Sequence, residues 1–203
     1  MGITISKPKL LLVEGAHEVT FFSRLLEVMG IEVIQVEQVG SQYKFRPMIM
    51  SLPGFPNFHQ VEAIGIVRDA DSSYENVFSS VQDALRMADL PVPNQPLHFA
   101  GNDLKIIVFI APDNNSIGAL EDICLASVQD DPIMKCVDDY MRCLKDIQNK
   151  DHDHANKART QVYLAKEPEG NIHMGIAAKK DIWNWQSTAF GEVRDFILQL
   201  AQI

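Results

Sequence analysis

Apolar and polar positions along the first two thirds of the chain follow two periods in turn. Residues 9–13 (KLLLV) form a short continuous apolar run, the pattern of a strand buried on both faces. From His17 to Met29 the apolar residues Val19, Phe22, Leu26 and Met29 recur at helical spacing, and Gly30 supplies a stop. Residues 31–39 (IEVIQVEQV) are β-branched and alternating and predict a second strand. Pro47, Pro53, Gly54 and Pro56 then limit residues 40–60 to a short helix around 42–51 and a loop.

A third strand is predicted over 63–71 (AIGIVRDAD), followed by a helix through Val77, Val81, Leu85 and Ala88 that PVPNQP (91–96) closes. Residues 104–110 (LKIIVFI) give a fourth strand, and Gly118 to Val128 a helix. Asp131-Pro132 reads as an N-cap with proline in the first turn, starting a helix through Ile133, Val137, Tyr140, Leu144 and Ile147. A further helix is expected near 157–166, and Ser187-Thr188 precedes a terminal helix ending at Leu200. Strands separated by helices imply parallel βαβ units. The expected fold is therefore α/β, a Rossmann-like, mainly parallel sheet with helices on both faces and a helical C-terminal elaboration. Residues 1–203 are read as a single domain, with a core over about 7–128 and a helical extension over about 131–203.

Composition narrows the function. The chain has 203 residues, 46% hydrophobic and 22% charged, ordinary for a globular protein. No window approaches the roughly 18 uninterrupted apolar residues of a membrane span, and the N-terminus lacks the pattern of a secretion signal. Cys124, Cys136 and Cys143 are odd in number and form no CxxC pair. They read as buried or incidental thiols of a reducing, cytoplasmic setting. The formal net charge of −9 excludes broad neutralisation of duplex phosphates by a basic face. It leaves room for phosphate chemistry at a cation held by clustered acids.

Two of the predicted strands end in acids, "VEG" and "RDAD". In open parallel sheets, ligands bind beyond the carboxyl ends of the strands. Asp69 and Asp71 are two apart, so a chain still extended there points both carboxylates to one side. Glu14 sits at the matching end of another strand, and Glu18 falls in the first turn of the helix behind it, where free N–H groups favour negative charge. Converging acids raise one another's pKa values unless cations sit among them. Oxygen-only ligands select hard ions such as Mg²⁺ or Mn²⁺. A lone DxD is most often a turn or cap; it is the pairing of the two motifs at strand ends that points to a metal or phosphate site.

"LLLVEGAHEVTFF" followed by "IGIVRDADSS" resembles the Toprim domain, shared by topoisomerases, bacterial primases, recombination mediators and OLD-family nucleases. The VEGxxE form is most similar to the OLD-type nucleases and to small stand-alone Toprim-like proteins. The match is specific in residues 9–22 and 63–73 and thins beyond about residue 125, so the Toprim-like part corresponds to the core. The resemblance implies that Glu14 is a general acid/base or metal ligand, that Asp69 and Asp71 bind Mg²⁺, and that Glu18 takes the second-metal position. Ser73 is a lesser candidate, as a hydroxyl near a metal-bound water or phosphate. No GxxxxGK[ST] motif occurs, so an ATPase would be a separate partner.

Glu121, in a helix's first turn after the fourth strand, is a candidate further ligand; the ordinary reading is a dipole-favoured helix acid. Charge growing on a scissile phosphate calls for a facing cation. Lys166, Lys179 and Lys180 are the candidates, Lys179 first because it follows the small-residue run "GIAA". "DHDH" (151–154) reads as a solvated linker, His17 as an exposed helix-start histidine, and Trp183 and Trp185 as packing residues rather than base-stacking ones.

The expected function is Mg²⁺- or Mn²⁺-dependent phosphodiester chemistry on DNA or RNA, of the nuclease type, with a partner ATPase or a homo-oligomer as further associations and no membrane. The alternative is a non-catalytic Toprim module that binds nucleic acid or a protein. A haloacid-dehalogenase-type phosphohydrolase also uses DxD, but at the end of its first strand, whereas here the motif comes after "VEG".

Overall fold

Three apolar runs and one alternating segment form the sheet at the centre of the molecule. In the computed structural model, which describes residues 4–40, 42–150 and 155–203, β1 (Lys9–Val13) leads into α1 (Ala16–Met29), then β2 (Ile34–Gln38) and α2 (Gln42–Ser51). β3 (Ala63–Asp69) is followed by α3 (Tyr74–Met87), β4 (Lys105–Ala111) and α4 (Leu120–Ser127). The chain ends in α5 (Ile133–Gln148), α6 (Ala155–Leu164), α7 (Met174–Lys179) and α8 (Gly191–Ala201).

The strands make a four-stranded sheet in the order β2-β1-β3-β4, parallel at every pairing. Because side chains alternate across a strand, β1, β3 and β4 each feed two cores, while β2 adds Ile34 and Val36 to one. Leu10 and Leu12 of β1 join Ile64, Ile66, Phe45 of α2 and Val81 of α3 on one face. Leu11 and Val13 join Phe109, Phe21 and Phe22 of α1, Trp183, and Phe196 and Leu200 of α8 on the other. This double burial is what the uninterrupted apolar runs foretell, and it establishes the α/β class with helices on both faces.

Local signals explain the element ends. Gly30 adopts φ 68°, a left-handed conformation that costs glycine little, and the Ile31 N–H closes the turn on the Leu26 carbonyl at 2.9 Å. The Ser73 hydroxyl accepts the Asn76 N–H at 3.2 Å and so caps α3. Gly65 lets α8 lie against the sheet: a Cβ there would meet Leu200 Cδ2 at 2.7 Å and Phe196 Cζ at 3.0 Å. Trp183 and Trp185 are both buried, as expected of packing residues.

Two expectations need adjustment, and one helix, α7, was not foreseen. The second strand is shorter than 31–39, because residues 30 and 31 are spent closing α1. The third strand stops at Asp69, not at residue 71. α7 carries no helical apolar period, and its Gly175, Ala177 and Ala178 are buried. It forms because small residues allow close approach: a Cβ on Gly175 would meet the His17 carbonyl oxygen at 2.6 Å. The "DHDH" segment lies outside the described residues.

Candidate functional site

Both acidic motifs reach the carboxyl end of the sheet, by different routes. Asp69 is the last residue of β3, level with Ala111 of β4. Its Oδ1 accepts the N–H of Leu120, the first residue of α4, at 2.9 Å. An orphan donor of a helix start thus holds one carboxylate oxygen in place. The chain then leaves the sheet: the Ala70 N–H bonds the Ala111 carbonyl at 2.9 Å and the Asp71 N–H the Gly118 carbonyl at 2.8 Å. Asp71 sits at φ 49°, a left-handed region that aspartate tolerates better than most residues. A turn, rather than strand alternation, therefore brings the second carboxylate beside the first.

Lys157, in the first turn of α6, marks where they meet. Its Nζ lies 3.9 Å from Asp69 Oδ2 and 3.7 Å from Asp71 Oδ1. Asp69 is the inner member, its side chain 13% exposed against 57% for Asp71. Burial pushes the Asp69 carboxyl well above the ordinary carboxylate range, with Glu121 and Glu14 acting the same way and the Leu120 N–H and Lys157 opposing. Burial also raises Glu121, reinforced by Glu18 and Asp122 and opposed by Lys157. Against burial, which works to lower it, Lys157 is held above its usual value by Asp69, Glu121, Asp71 and Glu14. The five acids singled out in the sequence therefore feel one another or share this one ammonium.

Glu14 is the outlier of the group. It forms an ion pair with Arg68, which is buried and stacks its guanidinium 4.5 Å from the centre of the Phe45 ring. Arg68 precedes Asp69 and so projects from the opposite face of β3. The strand that offers Asp69 to one side thus offers Glu14 a counter-ion on the other.

The lysines separate clearly. Lys166 bonds Asp131 at 2.8 Å and the Tyr163 hydroxyl at 2.7 Å, and Lys180 pairs with Glu169 at 2.6 Å. Lys179 is the exposed last residue of α7, while His173, which caps the first turn of that helix, faces the acids' cleft. Sequence reasoning missed Lys157 and Arg68. Arg68 was visible inside "VRDAD", where a charge in an apolar strand calls for a partner; no local pattern distinguishes Lys157. Ser73 serves its cap and also donates to Glu75 at 3.1 Å.

A cleft of about 630 Å³ opens from the acids between α1, α6 and α7 and is lined by Glu18, Glu121, Lys157, His17 and His173, among others. Among the described residues no three His, Cys, Asp or Glu side chains are gathered tightly enough to hold a metal ion. The donor chemistry suits a hard cation all the same. The acids offer oxygen only, and Asp69 and Asp71 both turn an oxygen toward the position that a side-chain cation takes here.

The sequence matches, over residues 8–202, the family model described as protein of unknown function (DUF3226). No curated protein matches it. Among solved structures, the chain is similar to the C-terminal region of the Xanthomonas campestris pv. campestris OLD protein. The form phased with mercury aligns at 17% identity and a TM-score of 0.45, over 97% of this chain and 99% of that one. The form phased with iodine gives 16% identity and 0.45, over 97% and 98%.

Proposed function

The chain belongs to the DUF3226 family, and from its site we propose that it performs divalent-metal-dependent phosphodiester chemistry on nucleic acid, of the nuclease type and with a Toprim-like acidic centre. The observation that carries this reading is the meeting of Asp69 and Asp71 at a single cation, with Glu18 and Glu121 beside it. Asp69, Asp71, Glu18 and Glu121 would hold Mg²⁺ or Mn²⁺, and Glu14, paired with Arg68, would stand ready as a further ligand or proton acceptor. When bound, such ions activate water and neutralise charge on the leaving oxygen.

The protein's own contribution is positional. The α4 N-terminus and the loop before it hold the aspartates, as their bonds to Leu120 and Gly118 indicate. Lys157, rather than Lys179, takes the role of the cation facing the phosphate, because it is the lysine beside the aspartates. With its charge placed before reaction, it needs no reorganisation as charge grows on the phosphoryl oxygens.

The test is a calorimetric titration with Mn²⁺ alongside cleavage assays on single- and double-stranded DNA and RNA. The parent should bind Mn²⁺ and cleave at least one substrate. Asp69→Asn/Asp71→Asn should lose both properties, and Glu14→Gln should slow cleavage on the order of a hundredfold. A parent that neither binds the ion nor cleaves overturns the proposal. One observation favours a second reading, a non-catalytic module that binds nucleic acid or a protein. Arg68 already neutralises Glu14, and Lys157 already spans the aspartates. The same titration separates the two.

A further inference from the structure

Away from the acids, the cleft changes character. Its charged walls are confined to Glu18, Glu121 and Lys157. Beyond them it presents the imidazoles of His17 and His173, whose ring centres lie 3.6 Å apart, and the amides of Gln161 and Asn171. Burial and the neighbouring His17 lower the His173 pKa. Lys157, Thr160 and Gln161 share one face of α6, at the three- and four-residue spacing that aligns helical side chains. Thr160 is 4% exposed, and its hydroxyl has no hydrogen-bond partner among the described residues. It forgoes even the carbonyl four residues back that helical threonines commonly use. The cleft volume lies within the roughly 300–1,000 Å³ of small-molecule sites.

The geometry points to a nucleoside-binding subsite: the cleft takes one unpaired nucleoside whose phosphate lies at the acids, so the preferred substrate is single-stranded nucleic acid or a frayed end. This rests on the nuclease reading for its phosphate and on the cleft for its base. Flat, π-faced imidazoles and amide side chains are what a nucleobase needs for stacking and for its hydrogen-bonding edge. Among the cleft residues Lys157 is the lysine or arginine, and it lies at the acids, so the end away from it suits the base. Paired nucleotides reach a pocket of this kind only by extrusion from the stack, and a chain of net charge −9 has little with which to hold a duplex meanwhile.

The test uses fluorescence anisotropy with a labelled single strand and with a blunt duplex in Mg²⁺, on the parent and on Gln161→Ala/Asn171→Gly. Both residues are exposed, and glycine accepts the φ of 52° at position 171, so the variant should fold. The single strand should bind about tenfold more tightly than the duplex, and the variant should lose about tenfold for the single strand, as expected for two lost hydrogen bonds. Its Mn²⁺ affinity should not change. A variant that binds like the parent, or a duplex that binds as well as the single strand, overturns the subsite while leaving the metal reading intact. If the parent binds no Mn²⁺, a metal-free titration with deoxyadenosine decides: saturable binding that the variant loses supports the subsite, and no binding overturns it.

Discussion

Lys157 balances two aspartates from a helix that neither of them belongs to, and replacing it exposes what it does. Lys157→Met leaves the buried Asp69 without its nearest positive charge. The metal-free variant should melt several degrees below the parent at pH 7, and Mn²⁺ should recover more of the loss than it adds to the parent; melts with and without the ion check this. Asp69 gives the complementary case. Its folded pKa is raised well above the ordinary 3.8, so its contribution to stability is fully present below that value and is lost as pH rises through the folded pKa. Asp69→Asn should therefore melt above the parent at pH 7 without metal, and the gap should close below about pH 4. The acids themselves were legible, because apolar runs that stop on a carboxylate are costly unless something receives it. Lys157 was not, since a lysine in a helix's first turn looks the same whether it faces water or an aspartate.

At the scale of elements, small residues decide how closely the helices approach. Gly175→Val forces a side chain against the His17 carbonyl, a backbone atom that cannot swing aside. It should cost about 1–3 kcal/mol in urea unfolding, by separating α7 from α1. The start of α5 is tied to α6 through Asp131, which accepts from the Ile133 N–H, the Tyr163 hydroxyl and Lys166. The Lys166 bond leads in lowering the Asp131 pKa from 3.8 to about 2. A depressed acid contributes stability that is present above its unfolded pKa and lost as pH falls through the folded one. Asp131→Asn should melt below the parent at neutral pH, and the difference should vanish as pH falls toward about 2, followed by circular dichroism. The helices with an apolar stripe were readable from periodicity. α7 was not, because a short run of small residues has no stripe to read, and its helix exists only against α1.

Over the whole molecule, a parallel sheet with both faces covered gathers its strand ends on one edge, which is why motifs some 50 residues apart share a site. By itself the sequence determined the strands, the class of fold, the burial of the two tryptophans and the common destination of "VEG" and "RDAD". These follow from local hydrophobic period and from the rule that parallel strands end together, neither of which needs a neighbour to be known. Only the tertiary structure decided that a turn at Asp71, not an extended strand, sets the aspartate pair, that Arg68 receives Glu14, and that Lys157 rather than Lys179 meets the acids. The turn depends on the Asp71 N–H meeting the Gly118 carbonyl, and the other two are electrostatic matches between elements; in every case spacing along the chain carries no trace of distance in space.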